Sequence, residues 1–279
     1  MIKTRRTLVS LIAGVVLIGM TGAAWAQNTG KSLASESVIE IIKKRGVLRI
    51  GLDFFVPWAM RAKNGDFVGF EIDVGTRVAK DMGVEVEFIP TAWDGIIPAL
   101  MSGKFDVVIA GMSITPQRHL RINFSEPYAS SGMMIAANSK TVPGLTRASD
   151  FNKPNMTIGA KRGTTGVDAV QRQAPLAKLR QYDEEVVGMQ DAINGTIDAY
   201  FSSSPVPERA VASSEGRLYL PVKETFDGTL ESFAMRKGDP DAIVFFNSWI
   251  RLRKHDGWLK ERHDYWFIGN DWSDQVDVK

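Results

Sequence analysis

AWDGIIPALMSGKFDVVIAGMSITPQRHLRINFSEPYASSG, Ala92 to Gly132, decides the fold. Its first ten residues after Ala92, Trp93 to Ser102, have helical character, and Asp106 to Ala110 is a short apolar run of buried-strand length. Gly111-Met112-Ser113-Ile114-Thr115 follows the carboxyl end of that strand, where ligands of open α/β sheets lie. Pro116 suits the first position of a helix, which makes Thr115 its N-cap. That helix start offers free backbone N–H groups to an anion. Arg118 follows at once with a planar fork suited to a carboxylate. Gly111, Ser113, Thr115 and Arg118 are therefore candidate binding residues.

Working outward, the same alternation continues on both sides. Upstream, Ser37 to Lys44 reads as a helix, Val47 to Gly51 as a strand, Phe70 to Met82 as a helix and Val84 to Ile89 as a strand. Strand and helix in succession predict an α/β unit with a parallel sheet. Downstream the pattern repeats in kind. Met156 to Ala160, Leu179 to Tyr182 and Ile197 to Phe201 read as strands; Thr164 to Arg172 and Val186 to Asn194 read as helices. Extended stretches, Gly132 to Ala137 and Ser232 to Met235, lie between and after the units, and two helices, Asp239 to Lys254 and Asp256 to Tyr265, close the chain. Their apolar faces are expected on the first unit, so the second becomes an insertion with two chain crossings. The predicted architecture is α/β with two lobes, lobe one from 47–132 plus 232–274 and lobe two from 141–228.

The N-terminus has its own signal. Lys3, Arg5 and Arg6 precede an apolar run from Leu8 to Met20, and Ala24-Trp25-Ala26 has the small-x-small pattern of a cleavage site. Residues 1–26 are expected to be a cleaved secretory signal peptide, and 27–36 a polar linker. The alternative, an uncleaved anchor, is disfavoured because the run is 13 residues long, short of the ~18 to 20 that span a bilayer. Three of the 34 basic residues and none of the 32 acidic ones fall in this leader, so cleavage shifts the net charge from +2 to −1. That balance gives no basic surface for nucleic acid. The chain has no cysteine, which excludes disulfides, thiolate zinc sites, thiol catalysis and a lipidated cysteine. A periplasmic location follows as the expectation, with no metal and no cofactor.

GFEIDVGTRVAKDM, Gly69 to Met82, the stretch from Ala92 to Gly132, AMRKGDPDA and the terminal GWLKERHDYWF resemble the family 3 extracellular solute-binding proteins, over nearly all of the chain beyond the leader. The resemblance implies a two-lobed periplasmic-binding-protein fold of type II. It also implies the substrate-binding component of an ABC transporter for polar amino acids or related small molecules. The partners implied are a small anionic or zwitterionic ligand and a membrane permease, with the protein itself a monomer. Arg118 takes the role of the arginine that holds the ligand carboxylate, helped by Ser113 and Thr115. In the second unit, Gly163-Thr164-Thr165-Gly166 follows a strand and opens a helix; its glycine and donors suit ligand approach. Thr164 and Thr165 match the turn with which the family completes this grip. Asp53-Phe54-Phe55-Val56-Pro57-Trp58 follows the first strand, one residue shorter than usual. Phe55 and Trp93 match stacking rings, with Trp58 as a neighbour, and such faces would also attract a cation.

One departure stands out. Relatives that bind amino acids carry an Asp after the third strand of the second unit, where it pairs with the α-ammonium; this chain has Ser203 in Ser202-Ser203-Ser204-Pro205. A buried ammonium needs a counter-charge or good acceptors. Either another acid substitutes, with Asp53 or Glu184 as candidates, or the amino group is modified or placed elsewhere, or the ligand lacks an α-amino group. An enzyme of the cyclohexadienyl dehydratase branch is a second reading. That branch places a Glu in the second-unit turn as general acid, and Gly166 stands there here. A presenter of ligand to a separate sensor is a third. No nucleophile elbow, P-loop or H-E-x-x-H motif occurs.

Overall fold

The computed structural model describes residues 36–276; the expected leader and all of the expected linker but its last residue lie outside the described residues. Helix α1 (Val38–Arg45) leads into strand β1 (Val47–Leu52). A small hairpin, β2 (Met60–Arg61) with β3 (Phe67–Val68), precedes α2 (Phe70–Met82). The α2 span is the one its apolar spacing predicts. Phe70, Val74 and Val78 are buried on one side, and Gly83 ends the helix at φ 71°, donating its N–H to the carbonyls of Ala79 and Lys80. Next come β4 (Glu85–Pro90), α3 (Trp93–Met101), β5 (Val107–Val108), α4 (Pro116–His119) and β6 (Asn123–Phe124).

Strand β1 pairs in parallel with β4 on one side and β5 on the other. The paired part of β5 is shorter than expected, although the N–H groups of Asp106 and Ile109 still donate to Arg49 and Gly51 at 2.9 and 3.3 Å. The sheet gains a late member, β13 (Ala234–Met235), which lies antiparallel between β5 and β6, giving the order β4-β1-β5-β13-β6. The closing helices α8 (Pro240–His255) and α9 (Trp258–His263) pack on this sheet. Phe246, Trp249, Ile250, Leu259 and Trp266 join Leu48, Ile50, Phe70 and Val74 in one core, and Leu52, Ile96, Leu100 and Phe105 fill another. Each such side chain, fully buried, stabilises by ~1.5 to 3 kcal/mol.

The second sheet begins with β7 (Ala129–Asn138) and continues with β8 (Thr157–Lys161), α5 (Thr165–Gln173), β9 (Lys178–Tyr182), α6 (Glu185–Asn194) and β10 (Ala199–Ser203). Helix α7 (Val206–Ser213), β11 (Leu218–Tyr219) and β12 (Phe226–Glu231) complete it. The order is β11-β7-β10-β8-β9, with β12 also on β7. Strand alternation sorts its two cores: Ile135, Ala137, Ala199 and Phe201 face one, while Ala136 and Tyr200 face the other. Helix α7 is not legible as a periodic segment, since it opens on a proline and only Pro207 is buried.

The chain passes between the sheets twice, at Ser125–Tyr128 leading into β7 and at Glu231–Phe233 leaving β12. These passages run side by side. The Ser125 and Tyr128 N–H groups donate to the Phe233 and Glu231 carbonyls, both at 2.9 Å, and directly beyond, in β7 and β12, Ala129, Ser130 and Ser131 pair antiparallel with Glu231, Leu230 and Thr229. Side chains tie them further: Ser131 Oγ and Thr229 Oγ1 each donate to Glu231 Oε1, at 2.8 and 2.6 Å.

Candidate functional site

The carboxyl ends of β1, β5, β8 and β10 converge on a cleft of about 500 Å³, mouth included. Asp53, Phe55, Trp93, Ala110, Gly111, Ser113 and Arg118 line it from the first sheet. Lys161, Thr164, Thr165, Gly166, Glu185, Ser202 and Ser203 line it from the second. Nine of the eleven residues expected from sequence are thus brought together: Asp53, Phe55, Trp93, Gly111, Ser113, Arg118, Thr164, Thr165 and Ser203.

Trp58 and Thr115 fall outside this lining. Trp58 is only 2% exposed and packs edge-on against Phe70 and Phe267, with ring centroids 5.8 and 4.7 Å apart. It lies under Gly111, where a Cβ would come within 3.1 Å of the indole. Its role is to support the floor, and the φ of 60° at Gly111 lets the backbone turn over it. Thr115 is held by its capping duty, as its Oγ1 accepts from the Arg118 N–H at 3.2 Å. It borders a separate hollow with Asp168, Arg172 and Asp227.

The guanidinium of Arg118 is fixed from both sides. Nη1 donates to the Ser113 carbonyl at 2.8 Å, and Nη2 donates to the Gly163 carbonyl at 3.1 Å. Its carbon sits 5.6 Å from the Trp93 ring centroid, in cation–π range. Burial pushes its pKa below the ordinary arginine value, opposed by Asp168; arginine nevertheless stays a cation. The Trp93 Nε1–H donates to the same Gly163 carbonyl at 3.1 Å. Gly163 holds φ 71°, a conformation that favours glycine. Thr164 caps α5, its Oγ1 accepting from the Gly166 N–H at 3.2 Å while its hydroxyl donates to Lys161 O at 2.7 Å. Gly166 has no room for a side chain, since a Cβ would approach the Phe201 carbonyl oxygen to 2.9 Å.

Two charged residues escape a reading from sequence. Lys161 is the last residue of β8, and its Nζ lies 2.6 Å from Asp53 Oδ2, with the two side chains 5% and 13% exposed. Asp53 is also fixed locally by accepting from the Phe54 N–H at 2.8 Å. Glu185, the first residue of α6, enters the cleft, whereas Glu184 is its exposed neighbour at the cap position. Burial pushes the Glu185 carboxyl up to about 7, against the hydrogen bond from Ser202 and the charge of Lys161. Its Oε1 is sealed from solvent and has no hydrogen-bond partner. Both residues were within reach of the rule that strand ends carry the site. The expected strand stopped at Ala160 and the expected helix began at Val186, one residue away in each case. Among the described residues, no cluster of His, Asp or Glu is arranged to hold a metal ion.

Residues 48–269 match the model of the bacterial extracellular solute-binding proteins, family 3. The L-cystine-binding protein TcyJ of Escherichia coli K12 is 28% identical over 264 residues, 94% of this chain and 95% of its own. The ABC transporter arginine-binding protein 1 of the same strain is 29% identical over 76% of this chain and 87% of its own. The crystal structure of the ancestral amino acid-binding protein AncCDT-1, a precursor of cyclohexadienyl dehydratase, superposes with a TM-score of 0.77 at 36% identity, covering 83% of this chain and all of that one. A cyclohexadienyl dehydratase of Pseudomonas aeruginosa is more distant, 21% identical over 84% of this chain and 87% of its own. The two-sheet fold, the paired crossings and this match over most of the chain lead to one conclusion: the protein belongs to the bacterial extracellular solute-binding proteins, family 3.

Proposed function

We propose that the chain is the periplasmic substrate-binding component of an ABC uptake system, closing on an amino acid or a related small carboxylate. The observation that carries this is Arg118, desolvated in a cleft and reaching the Gly163 carbonyl on the facing sheet. A carboxylate arriving there meets a fixed cation on a wall shared with Ser113, Thr164 and Thr165, the Thr165 hydroxyl among its donors. Phe55 and Trp93 form walls for the rest of the molecule. The lobes are 47–132 plus 232–274 and 141–228, and the protein works as an exported monomer that hands its ligand to a membrane permease. The reading as a binder without turnover rests on Gly166 standing where the dehydratase branch carries its acid, with a Cβ there coming within 2.9 Å of the Phe201 carbonyl oxygen.

A thermal-shift screen of the protein against amino acids, amines and organic acids tests the reading. A carboxylate ligand at 100 times its Kd adds about 2.7 kcal/mol of stability, a readily visible rise in Tm. A screen in which only amines without a carboxylate raise the Tm refutes it.

A further inference from the structure

The charges in the cleft do not cancel in pairs. Arg118 awaits an anion. Lys161 and Asp53 satisfy one another at 2.6 Å. That leaves Glu185, whose Oε1 is sealed and unpartnered, on the wall of the same cavity as Arg118. Ser202 and Ser203 beside it at the end of β10 bring hydroxyls and no charge. A buried carboxyl in this setting either stays protonated or takes a cation.

We propose that Glu185 is the specificity-determining residue for the ligand's ammonium group, so that the ligand is a zwitterion spanning Arg118 and Glu185. The assignment rests on the carboxylate-binding reading of Arg118 and names the other end of the molecule. With the ligand in place, three neutral pairs fill the cleft: carboxylate on Arg118, ammonium on Glu185, and Lys161 on Asp53. A simple organic acid would leave Glu185 Oε1 without a partner. Lys161 is not the receiver of a second ligand carboxylate, because its ammonium already sits on Asp53. The about 7 to which burial lifts the Glu185 carboxyl fits a group waiting for a cation to complete its ionisation.

The test uses matched pairs that differ by the α-amino group. L-Glutamine is compared with glutaramate, L-leucine with 4-methylpentanoate, L-lysine with 6-aminohexanoate and L-glutamate with glutarate. Thermal shift and calorimetry are run on the unaltered protein, Glu185→Gln and Glu185→Asp, with the unliganded Tm as the check on folding. The expected result is that the amino member of the best-bound pair binds at least tenfold better. Glu185→Gln should erase that preference and leave the deaminated member within threefold, while Glu185→Asp keeps the preference. Equal binding of both members, stronger binding of the deaminated one, or a preference that survives Glu185→Gln overturns the role of Glu185 while leaving Arg118 as the carboxylate anchor. If no member of any pair binds the unaltered protein, the carboxylate reading fails and the Glu185 assignment falls with it.

Discussion

Removing the Lys161 ammonium should separate the energetics of closure from those of ligand contact. Lys161 comes from the second sheet and Asp53 from the first, so their ion pair exists only while the cleft is shut. At 2.6 Å and with side chains 5% and 13% exposed, the pair is little screened by solvent. At an effective dielectric of ~20 the bare attraction is on the order of 6 kcal/mol. Desolvation of both ions offsets much of it, so the intact pair is a modest net contributor. Removing one partner is another matter. Lys161→Met fills nearly the same space but leaves Asp53 and Glu185, two carboxyls, facing one cavity with no lysine between them. Stranding a buried charge in this way costs ~3 to 5 kcal/mol, and it falls on the closed state alone, since both residues are hydrated when the cleft opens. Taking the lower figure, ligand affinity should fall about 150-fold. Asp53→Asn should cost less, because Lys161 keeps Glu185 nearby. The double variant should recover most of the loss. Calorimetry on the four proteins, with the best ligand from the thermal screen, gives the coupling energy directly. Additive losses, with coupling below ~0.5 kcal/mol, would refute the idea that this pair latches the cleft.

Two further outcomes are expected. Arg118→Ala should keep its fold, with an unliganded Tm near that of the unaltered protein, and lose ~2 to 5 kcal/mol of binding, or roughly 30- to several-thousand-fold; a change under threefold by calorimetry would place Arg118 outside the ligand's reach. Stability should fall as pH rises because of Glu71, which burial lifts from 4.5 to about 8 beneath the site. The native state holds this proton more tightly than the unfolded chain, so the contribution is complete below about 4.5 and lost as pH climbs through about 8. At ~1.36 kcal/mol per unit the swing is at most on the order of 5 kcal/mol. Urea unfolding at acid and alkaline pH should show a smaller swing in Glu71→Gln, and an unchanged swing would rule Glu71 out.

The sequence spoke clearly where a periodic element or a strand end carried the message. Phe70–Met82 was legible to the residue because an apolar stripe and a terminal glycine mark both ends. Arg118 and Thr164 were legible because each follows a strand and opens a helix. The rest depends on contacts no local pattern encodes. Trp58 has the composition of a wall residue, yet packing against Phe70 and Phe267 makes it floor. The Lys161–Asp53 pair joins residues 108 positions apart, and Glu185 differs from Glu184 only in which side of a helix start faces the cleft. Strand β12 was missed because it ends just before the expected extended stretch at Ser232, and because Asp227 and Gly228, across which its register on β7 shifts, have no strong strand character.

The two passages between the sheets are hydrogen-bonded to one another, and this has a mechanical meaning. Two independent tethers would let the halves slide, twist and bend. A ladder from Ser125 to Ser131 against Thr229 to Phe233, stitched by Ser131, Thr229 and the Glu231 carboxylate, behaves instead as a short strip. Sliding one passage along the other breaks every rung, whereas curling the strip across its flat side breaks none. A motion that keeps this strip whole has a single soft coordinate, the curl that would carry Gly163 toward and away from Trp93 and Arg118.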